Sequence, residues 1–219
     1  MARKKKSARK RPNHNLRDVR RRDGADRFRR TVFEIYETPI ELNRAADIQE
    51  LAERAFDLLS HGDGAERLLK QALKLEPDAC DLRNNLCAAY EMQGRRDEAE
   101  RLVGEIHDRN PHYFFGRTNL AQLCIKEGDL ERAERLIEPL LKQRRMHVTE
   151  FSALAAVRIH LHLASGDVDA ARGWLQIWQE AVPGHPAQEP WRRKLASTPL
   201  GWLRRRAIQL NATPLIGRS

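Results

Sequence analysis

AERL occurs at residues 65–68, at residues 99–102 and at residues 133–136, so neighbouring copies of this tetrad are 34 residues apart. The residues before the second and third copies match as well, because NL occurs at 85–86 and again at 119–120. Three copies in one register are improbable by chance. A period of this length is typical of proteins built from stacked, similar units.

Each interval contains the pattern of two helices joined by a turn. Apolar and small residues recur at steps of three and four, which is the period of an amphipathic helix. A first helix of about 13 residues ends at Gly94 in one unit and at Gly128 in the next, where glycine tolerates a positive φ. Pro77 and Pro111 also stand 34 apart and close the second helices, because proline cannot continue a helix.

A fourth, less regular copy follows. Gly166 and Ala171 repeat the spacing of Gly94 and Ala99, but Gly166 lies 38 residues after Gly128. About four residues have therefore been inserted, either around RRMHVTE at 144–150 or in a longer first helix. The sequence leaves both alternatives open.

The best unit, from about residue 80 to residue 113, resembles the tetratricopeptide repeat. The residues that carry the resemblance are Leu86, Cys87, Tyr90, Gly94, Ala99 and Pro111. The early tryptophan of that family is absent, since Arg83 and Arg117 stand in its place. The resemblance covers about residues 46–184. It implies an all-α fold, a right-handed α-solenoid of three to four helix pairs, whose stacked units share one core.

The segment before the first helix contains Val32, Phe33, Ile35 and Tyr36. A short apolar cluster like this could form a strand, but no second strand candidate is evident. We therefore expect an ordered lead-in that packs on the first helices.

Charge divides the chain into three parts, although the formal net charge is +9. Residues 1–30 hold 14 Lys and Arg against three Asp, residues 191–219 hold seven Lys and Arg and no acid, and residues 31–190 have a net charge of −9. We predict a disordered basic tail at 1–30, because it is self-repelling and poor in apolar residues. We predict a repeat domain at 31–190 and a basic C-terminal cap at 191–219. The apolar residues expected to cover the last repeat are Leu195, Leu200, Trp202, Leu203, Ile208 and Leu210.

The remaining composition favours a cytoplasmic protein. Cys80, Cys87 and Cys124 form an odd set without a CxxC pair, and we expect them to be reduced and mostly buried. No apolar run approaches the roughly 20 residues of a membrane span. The basic N-terminus is not followed by the apolar segment of a secretory signal.

Few residues suggest chemistry, and we expect no enzyme activity, no metal and no cofactor. His160 and His162 are two apart, which places them on different faces of a helix. Cys80 and Cys87 could share a face but lack a histidine that completes a compact ligand set. In the tetrads, we expect Ala to allow tight packing between helices and Leu to lie in the core. Glu and Arg are expected to face outward or to cross-brace adjacent repeats.

The family resemblance implies a partner-binding groove along the first helix of each pair. The groove residues carried over are Asn84, Asn85, Ala88, Glu91, Thr118, Asn119, Gln122 and Ile125. Asn85 and Asn119 could hydrogen-bond a peptide backbone, or they could be solvated or brace the next helix. Because Asn84 and Thr118 stand where a carboxylate-binding lysine would be expected, we do not predict that activity.

The main functional expectation is a non-enzymatic adaptor that holds a partner peptide or protein in this groove. The alternative is a nucleic-acid- or ribosome-associated protein whose tail binds phosphates without sequence specificity. The tail cations are Arg3, Lys4, Lys5, Lys6, Arg9, Lys10, Arg11, Arg20, Arg21 and Arg22. A membrane surface is a less favoured third partner, since prolines divide the C-terminal stretch. The oligomeric state is left open.

Overall fold

The computed structural model describes residues 16–20, 30–40, 42–59 and 64–197, and these residues form four consecutive helix pairs followed by one further helix. Within each pair, and between successive first helices, the elements pack side by side. The predicted helical solenoid is confirmed. The helices are α1 Ala46–Leu59, α2 Ala65–Leu75, α3 Cys80–Met92, α4 Arg96–Arg109, α5 Phe114–Glu127, α6 Leu130–Ile137, α7 Val148–Ala164, α8 Val168–Ala181 and α9 Glu189–Ala196.

The tetrads have the packing role that the sequence predicts. Ala65, Ala99 and Ala133 are buried at the starts of α2, α4 and α6, where a small side chain lets neighbouring helices approach. Two tetrad glutamates brace adjacent units. Glu66 forms an ion pair with Arg95 in the next pair, and Glu134 pairs with Arg158 of α7 in the same way.

The irregular spacing of the fourth unit comes from a longer first helix. α7 begins at Val148, 34 residues after α5 begins at Phe114, so nothing is inserted before it. α7 then runs for 17 residues, whereas α5 has 14. Its added turn displaces Gly166 and the whole of α8. The second of the two alternatives is therefore correct.

A small three-stranded sheet corrects the expectation for the N-terminal lead-in. The strands are β1 Leu16–Arg20, β2 Arg30–Tyr36 and β3 Arg145–His147, in the order β1-β2-β3. β1 is antiparallel to β2, and β2 is parallel to β3, with Glu34 opposite Arg145 and Tyr36 opposite His147. The segment at 32–36 is therefore part of a strand, and it pairs with the chain just before α7 rather than with the first helices.

A proline explains why β3 exists. α6 has eight residues, whereas its counterpart α4 has 14. α6 ends at Ile137, shortly before Pro139. Proline has no N–H for the helical bond to the carbonyl four residues earlier. The chain therefore continues through a 3₁₀ turn at Leu140–Lys142 into β3. There its backbone bonds to β2, for example from Glu34 N to Arg144 O at 2.7 Å.

The sheet is fixed to the core by Phe33. The Phe33 side chain is only 2% exposed and lies against Phe151 of α7, with 5.6 Å between the ring centroids. At the other end of the lead-in, Arg44 donates to both Glu76 and Asp81, so this segment also contacts the turn between α2 and α3. The lead-in thus connects the first and fourth helix pairs.

At the C-terminal end, α9 packs against α8 and buries Leu195, as expected for one cap residue. The other predicted cap residues lie outside the described residues, as does the predicted tail except for β1 and Arg30. They are Leu200, Trp202, Leu203, Ile208 and Leu210. Among the described helices, none combines the length and apolar character needed to cross a membrane.

Candidate functional site

A cavity of about 410 Å³ lies between α3 and α5, the first helices of the second and third pairs. Polar and charged groups line its sides, while one residue each from α3, α4 and α5 gives it an apolar floor. The lining residues are Asn84, Cys87, Ala88, Glu91, Val103, Asn119, Gln122, Leu123 and Lys126.

Helical spacing explains how the two walls arise. Asn84, Ala88 and Glu91 follow one another at steps of four and three on α3, so they share one face of the helix. Gln122 and Lys126 occupy successive turns of α5 opposite them. The solenoid places these two faces next to each other because successive first helices pack side by side.

Five of the eight predicted groove residues line this cavity. They are Asn84, Ala88, Glu91, Asn119 and Gln122.

Three predicted residues do not line it. Thr118 and Ile125 are only 2% and 5% exposed, so the structure corrects their assignment to the groove. The Thr118 hydroxyl donates to Phe115 O within its own helix, at 3.1 Å. Asn85 is half-buried and lies outside the cavity lining, because the face of α3 that meets α5 passes through Asn84 instead.

A hydrogen bond between two asparagines links α3 and α5 at the cavity. Asn119 Nδ2 donates to Asn84 Oδ1 at 2.8 Å, so Asn119 does brace the neighbouring helix. An asparagine side chain offers two donor hydrogens and an acceptor oxygen. This single bond therefore leaves both side chains with further hydrogen-bonding capacity at the cavity.

A second hydrogen bond links the cavity to α7, the first helix of the fourth pair. Gln122 Oε1 bonds to His160 Nδ1 of α7, and the His160 ring lies against Trp191 of α9, with 5.8 Å between the ring centroids. Burial lowers the pKa of His160, and the nearby cations of Lys194 and Lys126 lower it further. Both effects favour the neutral form of the imidazole.

Comparison with known proteins identifies the repeat. Family models described as tetratricopeptide repeat match residues 60–115 and residues 115–139. Residues 60–139 of this chain therefore match the tetratricopeptide repeat. No curated protein gave a significant match.

One solved structure supports the same fold, and two others are similar at lower TM-scores. A single-residue variant of a putative kinesin light chain from Podosopora anserina, with nearly identical TPR-like repeats, is 19% identical at a TM-score of 0.50, over 74% of this chain and 89% of that chain. A tetratricopeptide repeat protein from Parabacteroides merdae is 22% identical at a TM-score of 0.42, over 69% of this chain. This chain spans 60% of that protein's length. The MamA RS-1 ArsTM double mutant is 12% identical at 0.43, over 66% and 80% of the two chains.

Tetratricopeptide repeats are protein-interaction scaffolds, which supports a scaffold role for this chain at the general level. The cavity lies within the two matched segments, because its lining runs from Asn84 to Lys126.

Several cavity residues escaped the sequence analysis. Cys87 was expected only to be buried. Val103, Leu123 and Lys126 were not considered, although Lys126 follows Gln122 by one helical turn. The four-residue spacing from Gln122 would have been enough to predict Lys126 as a groove residue. Trp191 belongs to no repeated unit, so no periodic signal pointed to it.

The thiol in the cavity floor is a poor nucleophile. Burial, with a smaller contribution from Glu91, raises the pKa of Cys87 to about 12, so the thiol is protonated at neutral pH. All three cysteines lie within the described residues and are free thiols. Within the same described ranges, His, Cys, Asp and Glu form no group that could hold a metal ion.

The predicted nucleic-acid tail lies outside the described residues, apart from Arg20. That residue ends β1, opposite Arg30 of β2, and its side chain is not described.

Proposed function

We propose that the chain is a non-catalytic adaptor that holds an extended or helical segment of a partner protein in the cavity between α3 and α5. We also place this activity in the cytoplasm, in keeping with the free thiols of Cys80, Cys87 and Cys124. The cavity of about 410 Å³, with side-chain amides around an apolar floor, is the observation that carries the proposal.

The chemistry of the walls fits a polypeptide. Asn84, Asn119 and Gln122 present both donors and acceptors, which match the N–H and C=O groups of a peptide backbone. Val103 and Leu123 offer apolar contact to one or two side chains of the partner. A few oriented polar groups around an apolar floor are typical of ligand sites in proteins.

Filling the cavity tests the proposal. Peptides that bind the wild-type chain are first selected from a displayed library of random 12-residue sequences. Ala88 is a half-buried lining residue, so an indole at this position occupies the space of the ligand. Ala88→Trp is expected to weaken the selected peptides about tenfold or more, which corresponds to about 1.4 kcal/mol. Fluorescence anisotropy with the synthetic peptides measures this effect.

Gln71→Trp is the matched control, because Gln71 is exposed on the second helix α2 and places the same indole away from the cavity. We expect it to leave affinity unchanged, and both variants to retain the melting temperature of the wild type. A library that yields no binding peptides, or peptides that bind Ala88→Trp as well as the wild type, would contradict the proposed function.

A second candidate function is a contact between the basic tail and nucleic acid. Its support is compositional: 14 Lys and Arg stand against three Asp in residues 1–30. Such a segment binds phosphates through counterion release, and this binding weakens steeply with salt.

The position of β1 dictates how the tail is tested. Since β1 begins at Leu16, a deletion of residues 1–14 removes seven Lys and Arg and leaves the sheet complete. For a single-stranded DNA oligonucleotide, the slope of log K against log salt is expected to flatten by up to about 5. A chain of full length with those seven cations replaced by Gln should behave like the deletion. If the affinity at physiological salt does not change in either variant, the tail is not a nucleic-acid contact.

A further inference from the structure

The C-terminal helix α9 lies beside the groove. His160 of α7 bonds to the cavity residue Gln122 on one side and lies against the half-buried Trp191 of α9 on the other. α9 ends at Ala196, five residues after Trp191. The segment 198–219, which lies outside the described residues, therefore starts close to the α7 end of the groove.

The sequence of this segment combines apolar residues with cations. It contains four Arg and no Asp or Glu, which gives it a net charge of +4. Its larger apolar residues begin with Leu200, Trp202 and Leu203, directly before Arg204, Arg205 and Arg206. These apolar residues are predicted to cover the last repeat. However, α9 already packs against α8 there and buries Leu195, so the last pair has a cover without them.

The charge of the helices along the groove favours a basic segment at the N-terminal end. α1 carries four acidic residues against one Arg, and α3 carries two against one Arg. α5 has two basic residues against one acid, and α9 has three against one. A basic segment that starts beside α9 is therefore attracted along the groove towards α3 and α1. Glu91 is the acid that lines the cavity on α3.

The number of residues after α9 matches the distance to these acids. Neighbouring helices are about 8–10 Å apart, so α3 lies about 16–20 Å from α7, and α1 about 24–30 Å from it. An extended chain advances about 3.3 Å per residue, which places Trp202 about 17 Å from Ser197 and the three arginines about 23–30 Å from it. Trp202 thus reaches the cavity between α5 and α3, and the arginines reach α3 and α1.

The groove also offers apolar contacts at both places. Val103 and Leu123 form part of the cavity floor. Met92 lies 34 residues before Lys126 and 68 before His160, so the three residues occupy the same position on α3, α5 and α7. Lys126 lines the cavity and His160 bonds across to α5, which indicates that Met92 faces the groove between α3 and α1. Its side chain is 64% exposed.

We propose that the segment 198–206 binds in the groove of its own chain, with Trp202 over the cavity floor and Arg204 to Arg206 beside Glu91 and the acids of α1. In this position the segment competes with the partner protein. The proposal rests on the proposed function, because it uses the same cavity, and it adds a regulation of that site. A tethered segment has an effective concentration of about 1 mM, so a dissociation constant of about 0.1 mM weakens a competing peptide about tenfold.

Competition in the full chain tests whether the segment occupies the cavity. A fluorescein-labelled peptide of residues 198–219 is titrated with the wild type and with a variant that combines Arg204→Glu, Arg205→Glu and Arg206→Glu. The variant is expected to bind the peptide about tenfold more tightly in fluorescence anisotropy, because its own segment no longer competes. Ala88→Trp added to this variant is expected to weaken the peptide about tenfold, since the indole fills the cavity.

The matched control combines Arg109→Glu, Arg135→Glu and Lys142→Glu. It makes the same change in net charge at exposed positions outside the cavity lining. We expect it to bind the labelled peptide as the wild type does. A control that gains as much affinity as the first variant would show that net charge alone attracts the peptide, and the proposal would be wrong.

Cross-linking locates the segment. Arg204→Lys combined with Arg205→Lys and Arg206→Lys keeps the charge and supplies amines that a carbodiimide couples to nearby carboxylates. Mass spectrometry is expected to find links from residues 204–206 to Glu91 or to the acids of α1, within one chain. Chains labelled with ¹⁴N and ¹⁵N are mixed to identify links between copies. Links mainly to Glu180 of α8 or Glu189 of α9, or mainly between copies, would overturn the proposal.

The outcomes separate this proposal from the proposed function. If the wild type and the first variant bind the labelled peptide equally, or if Ala88→Trp does not weaken it, the segment does not occupy the cavity. The adaptor function still stands in that case when peptides selected from the library depend on Ala88. If neither the labelled peptide nor any library peptide binds, both proposals are wrong.

Discussion

Replacing Phe33 with alanine is expected to lower the free energy of unfolding by about 3–5 kcal/mol, the usual cost of removing a fully buried phenylalanine ring. Phe33 is 2% exposed and contacts Phe151, itself completely buried in the core of the later helix pairs. The same strand pairs with β3, so the loss should extend to Met146 and the start of α7. Urea unfolding measures the overall effect, and hydrogen exchange followed by mass spectrometry locates it.

Phe56→Ala is the matched control. Phe56 lies on α1 and is 65% exposed, so its removal should cost no more than about 0.5 kcal/mol. In Phe33→Ala, amide exchange should accelerate in β3 and in the first turns of α7, while α2 and α3 keep their wild-type protection. Equal costs for the two variants would mean that β2 does not stabilise the fourth unit.

The sheet could not be predicted because its pairing is not local. Phe33 and Ile35 alternate as in a strand, but the partner is the three-residue segment RMH of β3, which is too short to show any period. β1, with the sequence LRDVR, is mostly charged. The proline that ends α6 is visible in the sequence, yet it indicates only where a helix stops and not where the chain goes next.

The repeat period was predictable because it follows from contacts between neighbouring helices. The alanines of the three tetrads are 34 residues apart and are all buried in the same kind of helix contact, so the packing of the repeat is visible in the sequence. The groove was predicted in part, since the fold determines which helices line it, but the orientation of each helix about its own axis decides which face is exposed. Asn84 rather than Asn85 lines the cavity, and Thr118 is buried. Trp191 and Lys194 follow the last repeat, where no period applies.

Replacing Glu134 with leucine is expected to destabilise the protein by about 3–5 kcal/mol, because it removes the counter-charge of a buried cation. The Arg158 side chain is only 3% exposed, and its Nη1 donates to both carboxylate oxygens of Glu134 at 2.6 and 2.8 Å. Its Nη2 lies 3.1 Å from Nε2 of His162, which supplies no negative charge. Chemical denaturation of the single variant measures the loss. Glu131→Leu is the control, since the Glu131 and Arg135 pair is solvent-exposed and should contribute less than about 1 kcal/mol.

The cost of Glu134→Leu arises from the charge of Arg158 and not from the lost contact, and a second substitution separates these causes. Position 158 lies 34 residues after Cys124 and 68 after Tyr90, and both of those side chains are buried, so the repeat accommodates an uncharged residue there. Arg158→Met removes the cation while keeping most of the side-chain length. We therefore expect Glu134→Leu combined with Arg158→Met to recover most of the stability lost in Glu134→Leu, as buried ion pairs replaced by apolar residues often do. If the loss in the double variant instead equals the sum of the losses in the two single variants, Glu134 and Arg158 are not energetically coupled, and the charge of Arg158 does not explain the cost of Glu134→Leu.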